Sequence, residues 1–261
     1  MSRVLVPRRD LILPSRFRQR QGGFIMTPHA HGGTPATDPH WANVVLLAHG
    51  NGANNGTVFT EERGKVLTPT GTVVTSTTSP KFGSAALLFP NGSNAYLSTP
   101  SSTDFDFGTG DFVIEFWIRT AHTGSYATLL CREWGGSPYT GGWSFMLNGN
   151  AGAPMQIWVA AYSTGGPMLT ASGTGYRDGN WHHVAWERVG NVFTLYIDGV
   201  ADATVTSSIS FATVSKAITI GADLTFGSRY YAGYMDDLRI TKGVSRYNGT
   251  FTPPTAQFPD S

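Results

Sequence analysis

Asp178-Gly-Asn-Trp-His-His-Val-Ala-Trp-Glu-Arg188 and, after a Val189-Gly190-Asn191 turn, Val192-Phe-Thr-Leu-Tyr-Ile-Asp-Gly-Val200 are two strand-like runs joined by a tight connection. The second run breaks at Asp198-Gly199. That pair suits a type I′ turn, because glycine accepts positive φ and aspartate tolerates it. A third strand is therefore expected to fold back from Val200, giving a β-meander with one buried side.

The pattern continues on both sides of this stretch. Runs 44–48, 72–77, 85–89, 96–98, 112–119, 127–132, 143–147, 155–162, 168–171, 182–188, 192–198, 203–206, 218–221 and 234–240 read as strands. Turn-rich segments such as Pro90-Asn91-Gly92 and Gly135-Gly136-Ser137-Pro138 separate them. The 32 glycines and 13% charged residues fit short strands and tight turns. No repeat of roughly 20–50 residues is visible, which argues against a propeller or solenoid. The expected fold class is all-β: an antiparallel two-sheet sandwich of jelly-roll type with an extended N-terminal arm. Ser245–Gly249 predicts one helical turn before Pro253-Pro254.

Trp181-His-His-Val-Ala, Leu195-Tyr-Ile-Asp-Gly and Gly233-Tyr-Met-Asp-Asp-Leu-Arg-Ile resemble the laminin-G-like, concanavalin A-like lectin/glucanase superfamily. Upstream, Val45-Leu-Leu-Ala-His-Gly-Asn-Gly, Lys81-Phe-Gly-Ser-Ala-Ala-Leu-Leu-Phe and Asp104-Phe-Asp-Phe-Gly-Thr-Gly-Asp-Phe-Val-Ile-Glu-Phe-Trp-Ile are similar to the version found in bacteriophage virion proteins. The resemblance runs from Trp41 to Phe258 and implies a concanavalin A-like jelly roll. It implies less about chemistry, since the superfamily holds lectins, adhesion modules, hydrolases and inert spacers.

The expected organisation is an arm and linker over 1–40, a laminin-G-like domain over 41–258 and a tail over 259–261. Residues 1–20 carry six arginines against Asp10, a local +5, whereas the rest of the chain is −4. Pro7 and Pro14 disfavour a helix there. A segment this short cannot bury its own apolar residues, so Arg8, Arg9, Leu11, Ile12, Leu13, Arg16, Phe17 and Arg18 are expected to anchor the chain on another virion protein of capsid or tail. A solvated tail is the bland alternative. Nucleic acid is the less favoured partner, because the arm has few aromatics for base stacking. The net charge of +1 favours neither nucleic acid nor a membrane surface. Cys131 is the single cysteine, and no run reaches the roughly 20 apolar residues of a membrane span. With no signal-peptide pattern at the start, the expectation is synthesis in a host bacterial cytoplasm and display on the virion surface.

Alternation sorts the faces. Phe112, Ile114, Phe116 and Ile118 should enter the core, leaving Glu115, Trp117 and Arg119 outside. The same rule puts Gln156, Trp158 and Tyr162, and separately Tyr196, on outward positions. Were these strands neighbours, Trp117, Trp158, Tyr162 and Tyr196 would form an aromatic platform with Glu115 at its rim, suited to the apolar face of a sugar. The competing expectation is that loops fold over the sheet and make those rings a second packing layer. A second carbohydrate-binding candidate is the loop set Trp134, Tyr139, Tyr176, Arg229, Tyr230 and Tyr231.

Calcium is frequent on the rim of laminin-G-like domains, and Asp104, Asp106, Asp111 and Asp223 are its candidate ligands. The alternative is that each caps a turn. Laminarinase-like members of the superfamily carry Glu-x-Asp-x-x-Glu, which holds nucleophile and acid on one strand face. That spacing does not occur here, and Asp236 and Asp237 are expected to point to opposite faces of a strand. No catalytic residue and no required cofactor is expected. The resulting expectation is a non-enzymatic virion surface protein touching host glycans, with a homo-oligomer through sheet edges left open. A polysaccharide depolymerase and a ligand-free decoration are the alternatives.

Overall fold

The computed structural model describes residues 37–92, 94–122, 126–132, 142–148, 154–159, 167–211, 216–224 and 229–261, with backbone alone at 158 and 159. The anchoring residues Arg8 to Arg18, together with Trp134, Tyr139 and Tyr162, lie outside the described residues. Among the described residues there are fifteen strands: β1 Val44–Ala48, β2 Thr68–Thr70, β3 Val74–Ser76, β4 Ala86–Phe89, β5 Tyr96–Ser98, β6 Phe112–Arg119, β7 Ala127–Arg132, β8 Trp143–Leu147, β9 Met155–Val159, β10 Leu169–Thr170, β11 Trp181–Val189, β12 Val192–Ile197, β13 Val200–Thr206, β14 Thr219–Ile220 and β15 Gly233–Lys242. The described helical structure is two 3₁₀ turns, Trp41–Asn43 and Thr103–Phe105.

The strands form two antiparallel sheets. One runs β13-β12-β11-β6-β15-β4-β3, with β1 also paired to β15, and the other runs β10-β9-β8-β7-β14-β5-β2. The meander expected from 178–200 is β11-β12-β13, and its turn residues behave as their chemistry requires. Asp198 and Gly199 have φ of 49° and 80°, both in the left-handed region that a type I′ turn needs. β2 has no counterpart among the sequence-read runs, because Thr68-Pro69-Thr70 has no apolar alternation.

Between the sheets lies a core rich in aromatic rings. Trp186 of β11 packs against Phe112, Phe193 and Phe211 and, across the gap, against Trp143 and Phe145 of β8. The inward residues are those the alternation selected: Phe112, Ile114, Phe116 and Ile118, with Met155 and Ile157 from the other sheet.

The outer side of the eight-stranded sheet is closed by the C-terminal segment. The expected helical turn at 245–249 does not form. Instead the backbone N–H groups of Arg246, Tyr247 and Asn248 donate to the Glu187 carboxylate at 2.7, 2.8 and 2.9 Å. The segment then pairs Phe251 N–H with Gly199 O and Phe258 N–H with Asp237. Both ends of the body join this layer. Asp38, which the sequence assigns to the arm, is buried, accepts hydrogen bonds from Arg239 and Arg246, and donates its N–H to Ser261 O.

Candidate functional site

The two faces of the sandwich differ in chemistry. Outward from the eight-stranded sheet, Glu115 is 0% exposed and accepts from Arg239 Nε and Nη2 at 2.9 and 2.7 Å and from the Tyr247 hydroxyl. Burial alone would raise the Glu115 carboxyl. The Arg239 charge, then His183 and Tyr247, outweigh burial and hold it down at about 2. Trp117 and Tyr196 are buried in the same layer, under Phe82 and Lys81 in one case and under Tyr247 and Phe251 in the other. The expected platform therefore does not assemble. β6 and β12 belong to the eight-stranded sheet and β9 to the seven-stranded one, so Trp117 and Tyr196 sit on the opposite side of the sandwich from the strand of Trp158. The packing-layer alternative describes Glu115, Trp117 and Tyr196.

Asp236 and Asp237 do not take opposite faces. A bulge between Asp236 and Arg239, with Asp237 at φ 50°, turns both carboxylates into the outer layer. Asp236 accepts from Lys81 and Phe82 N–H at 2.9 and 3.2 Å, and Asp237 meets His49 Nδ1 at 2.5 Å and Phe258 N–H at 2.8 Å. His182 is also fully engaged: Nδ1 lies 2.8 Å from Asp198 and Nε2 3.1 Å from Asp178. A ring held at both nitrogens has none to offer a substrate as a base.

These groups predict a pH profile of stability. Burial pushes Asp236 up to about 7; the Asp198 hydrogen bond, helped by Asp178, raises His182. At His49 burial opposes the shift, but the bond and charge of Asp237 outweigh it and raise the ring. A raised folded pKa contributes stability that is complete below the unfolded value and lost as pH rises through the folded one. Asp236 loses its share from about pH 4 to 7 and the two histidines theirs above about pH 6.5. Glu115 and Asp178, both held at about 2, act in the opposite sense and lose theirs as pH falls below about 4. The melting temperature should thus peak between about pH 4 and 6.5 and decline toward pH 8. A thermal-melt series across that range checks it, and a maximum at pH 8 or above would refute the assignment.

The outer side of the seven-stranded sheet is different. Its register aligns two rows of outward positions: Thr170, Gln156, Met146 and Thr128, then Ser144, Cys131, Thr219, Ser98 and Thr68. These are hydroxyls, one amide and two sulfur groups, and among the described residues no outward strand position carries a carboxylate. The hydroxyls of Thr128 and Ser144 are buried without a hydrogen-bond partner among the described residues. At the end of the sheet where β7 begins, Arg229 folds back over this face. Its carbonyl accepts from Thr128 N–H at 3.0 Å, its Nη1 lies 3.3 Å from Met146 Sδ, and its guanidinium carbon lies 5.2 Å from the centre of the Tyr126 ring. Tyr230 follows it, half-buried. The segment bearing Trp134 and Tyr139 departs after Arg132, at the far end of β7. Arg229 and Tyr230 are therefore not at that departure point.

The four aspartates weighed for calcium are dispersed. Asp104 pairs with Lys65 at 2.8 Å, Asp106 with Arg132, Asp111 with Gly190 N–H at 2.7 Å, and Asp223 lies 3.9 Å from Arg229 Nη1. Among the described residues no three His, Cys, Asp or Glu side chains gather as a group that could hold a metal ion.

A laminin-G-type family model, described as the concanavalin A-like lectin/glucanases superfamily, matches residues 91–245. The chain belongs to this superfamily. Among solved structures, domain 4 of AbnA, an extracellular GH43 arabinanase of Geobacillus stearothermophilus in complex with arabinotriose, is 17% identical with a TM-score of 0.53, covering 78% of this chain and 95% of that one. The botulinum neurotoxin serotype C1 binding domain is 14% identical with a TM-score of 0.55, and the binding domain of Paraclostridial Mosquitocidal Protein 1 is 15% identical with a TM-score of 0.55. Each likeness covers 78% of this chain and 50% of the toxin domain, so the chain spans half the length of those two. At such identities the likeness is one of fold. A search of curated proteins finds no match. Within the superfamily scaffold, the sequence pattern alone did not reveal Tyr126, because it stands just ahead of its strand and outside any alternating run.

Proposed function

We propose that this chain is a non-enzymatic bacteriophage virion surface protein, carried on capsid or tail by its N-terminal segment and displaying a lectin-like sandwich that contacts host-surface glycans. The observation that carries the glycan part is the contrast between faces. One is closed by residues 246–258 and full of paired charges, whereas the other carries hydroxyl, amide and sulfur groups, buried at Thr128, Cys131, Ser144, Met146 and Gln156, and no carboxylate at its described strand positions. Glycoside hydrolysis in most families needs two carboxyl groups flanking the bond, and the described ones in Glu115, Glu187, Asp236 and Asp237 are tied into the closed face. The superfamily membership and a similar arabinanase domain solved with arabinotriose support a carbohydrate partner. The virion part rests on the motifs at 45–52, 81–89 and 104–118 and on the basic arm.

Asp38 determines how to test the anchor. Deleting residues 1–34 keeps the Asp38 bonds to Arg239 and Arg246, so the shortened protein should melt with the full chain yet fail to enter particles. Normal incorporation would refute the anchor. Incubation with host polysaccharide should release no reducing ends, and their appearance would make the protein a depolymerase.

A further inference from the structure

The end of the seven-stranded sheet where β7 begins carries an aromatic ring that is exposed and already held. Tyr126 is 45% exposed and stands just ahead of β7, two positions before Thr128. Arg229 backs its ring at 5.2 Å and is itself fixed by Thr128 N–H on its carbonyl and by Met146 Sδ against its Nη1. Leu224, 53% exposed, lies on the other stem of the same loop. A tyrosine has two side-chain torsions to fix, and here a cation restrains them before any ligand arrives, which lowers the ordering cost of binding. The charge is balanced as well. The buried Asp223 carboxylate lies 3.9 Å from Arg229 Nη1, so the cation does not present an uncompensated field to an anion.

We propose that Tyr126, backed by Arg229, is the floor of a subsite for a neutral sugar ring. The apolar face of the ring stacks on the phenol and Arg229 donates to a ring hydroxyl. The proposal rests on the glycan-contact reading and locates it at one end of the seven-stranded sheet. The ligand class is a neutral hexose- or pentose-based polysaccharide.

The test is affinity electrophoresis of the full-length protein through soluble arabinan, dextran and β-glucan, with polygalacturonate as the anionic probe, at low and high salt. Retardation by at least one neutral polymer, unchanged by salt, is expected. Tyr126→Ala should weaken it about tenfold, roughly 1.4 kcal/mol, without a change in melting temperature, and Tyr126→Phe should retain it. Retardation by a neutral polymer that Tyr126→Ala leaves intact would place the subsite elsewhere and overturn the proposal. Salt-sensitive retardation by polygalacturonate alone would overturn it too, while the glycan-contact reading stood. No retardation by any of the four polymers or by host polysaccharide would remove both.

Discussion

Arg239→Ala is expected to lower the unfolding free energy by about 3–5 kcal/mol at pH 7, because it strips a buried carboxylate of its cation. Arg239 gives Glu115 two bonds, at 2.9 and 2.7 Å, and Asp38 a third at 3.0 Å, while its guanidinium carbon lies 3.6 Å from the centre of the Phe258 ring. Arg246 would still hold Asp38, with bonds at 3.0 and 2.7 Å. Glu115 would keep the Tyr247 hydroxyl, His183 Nε2 at 3.5 Å and a 3.9 Å approach from Arg246 Nε, too little to offset full burial of a charge. Its carboxyl, now held at about 2, should rise in the variant, so the deficit should shrink as pH falls and Glu115 protonates. Urea denaturation of wild type, Arg239→Ala and Arg239→Met at pH 7 and at mildly acidic pH separates charge from packing. Methionine restores much of the volume and should recover little. A loss below about 1 kcal/mol, as for an exposed pair, would show that the network does not hold the C-terminal segment down.

Trp186→Ala should cost a similar amount, about 3–5 kcal/mol, through a cavity rather than a stranded charge. The indole is fully buried where the sheets meet, with ring centres of Phe112, Phe145 and Phe211 at 4.8, 5.5 and 5.8 Å. Phe145 belongs to the opposite sheet, so one side chain shares contacts with both layers. Its N–H has no hydrogen-bond partner among the described residues. Trp186→Phe should therefore lose less than half as much, since it keeps a ring and removes an unpaired donor. Urea midpoints of the two variants decide this, and equal losses would mean that volume alone is not what the site requires.

Much of the strand pattern was legible in the chain, and for a local reason. Side-chain alternation is set by the pleat, so Phe112, Ile114, Phe116 and Ile118 could be assigned inward before any partner strand was known. The Asp198-Gly199 turn was legible for the same reason, since positive φ is a property of those two residues. What misled was equating the outward side with solvent. Glu115, Trp117 and Tyr196 do point away from the core, yet Tyr247 and Phe251 cover Glu115 and Tyr196 from some 50 to 130 positions along the chain, and Phe82 and Lys81 cover Trp117. The two aspartates at 236 and 237 misled through a bulge, because one extra residue reverses the alternation on which the reading depended.

The sequence by itself determined that this protein is a sandwich of short antiparallel strands, which residues of its regularly alternating strands such as 112–119 face the interior, and that the Glu-x-Asp-x-x-Glu spacing does not occur. Only the tertiary structure decided which sheet each strand joins, which outer face is sealed by the C-terminal segment, and that Tyr126 and Arg229 meet beside Met146. Facing is a property of successive residues along one strand. Coverage and encounter depend on segments distant in sequence, whose pairing follows from burying apolar area and satisfying polar groups across the whole molecule.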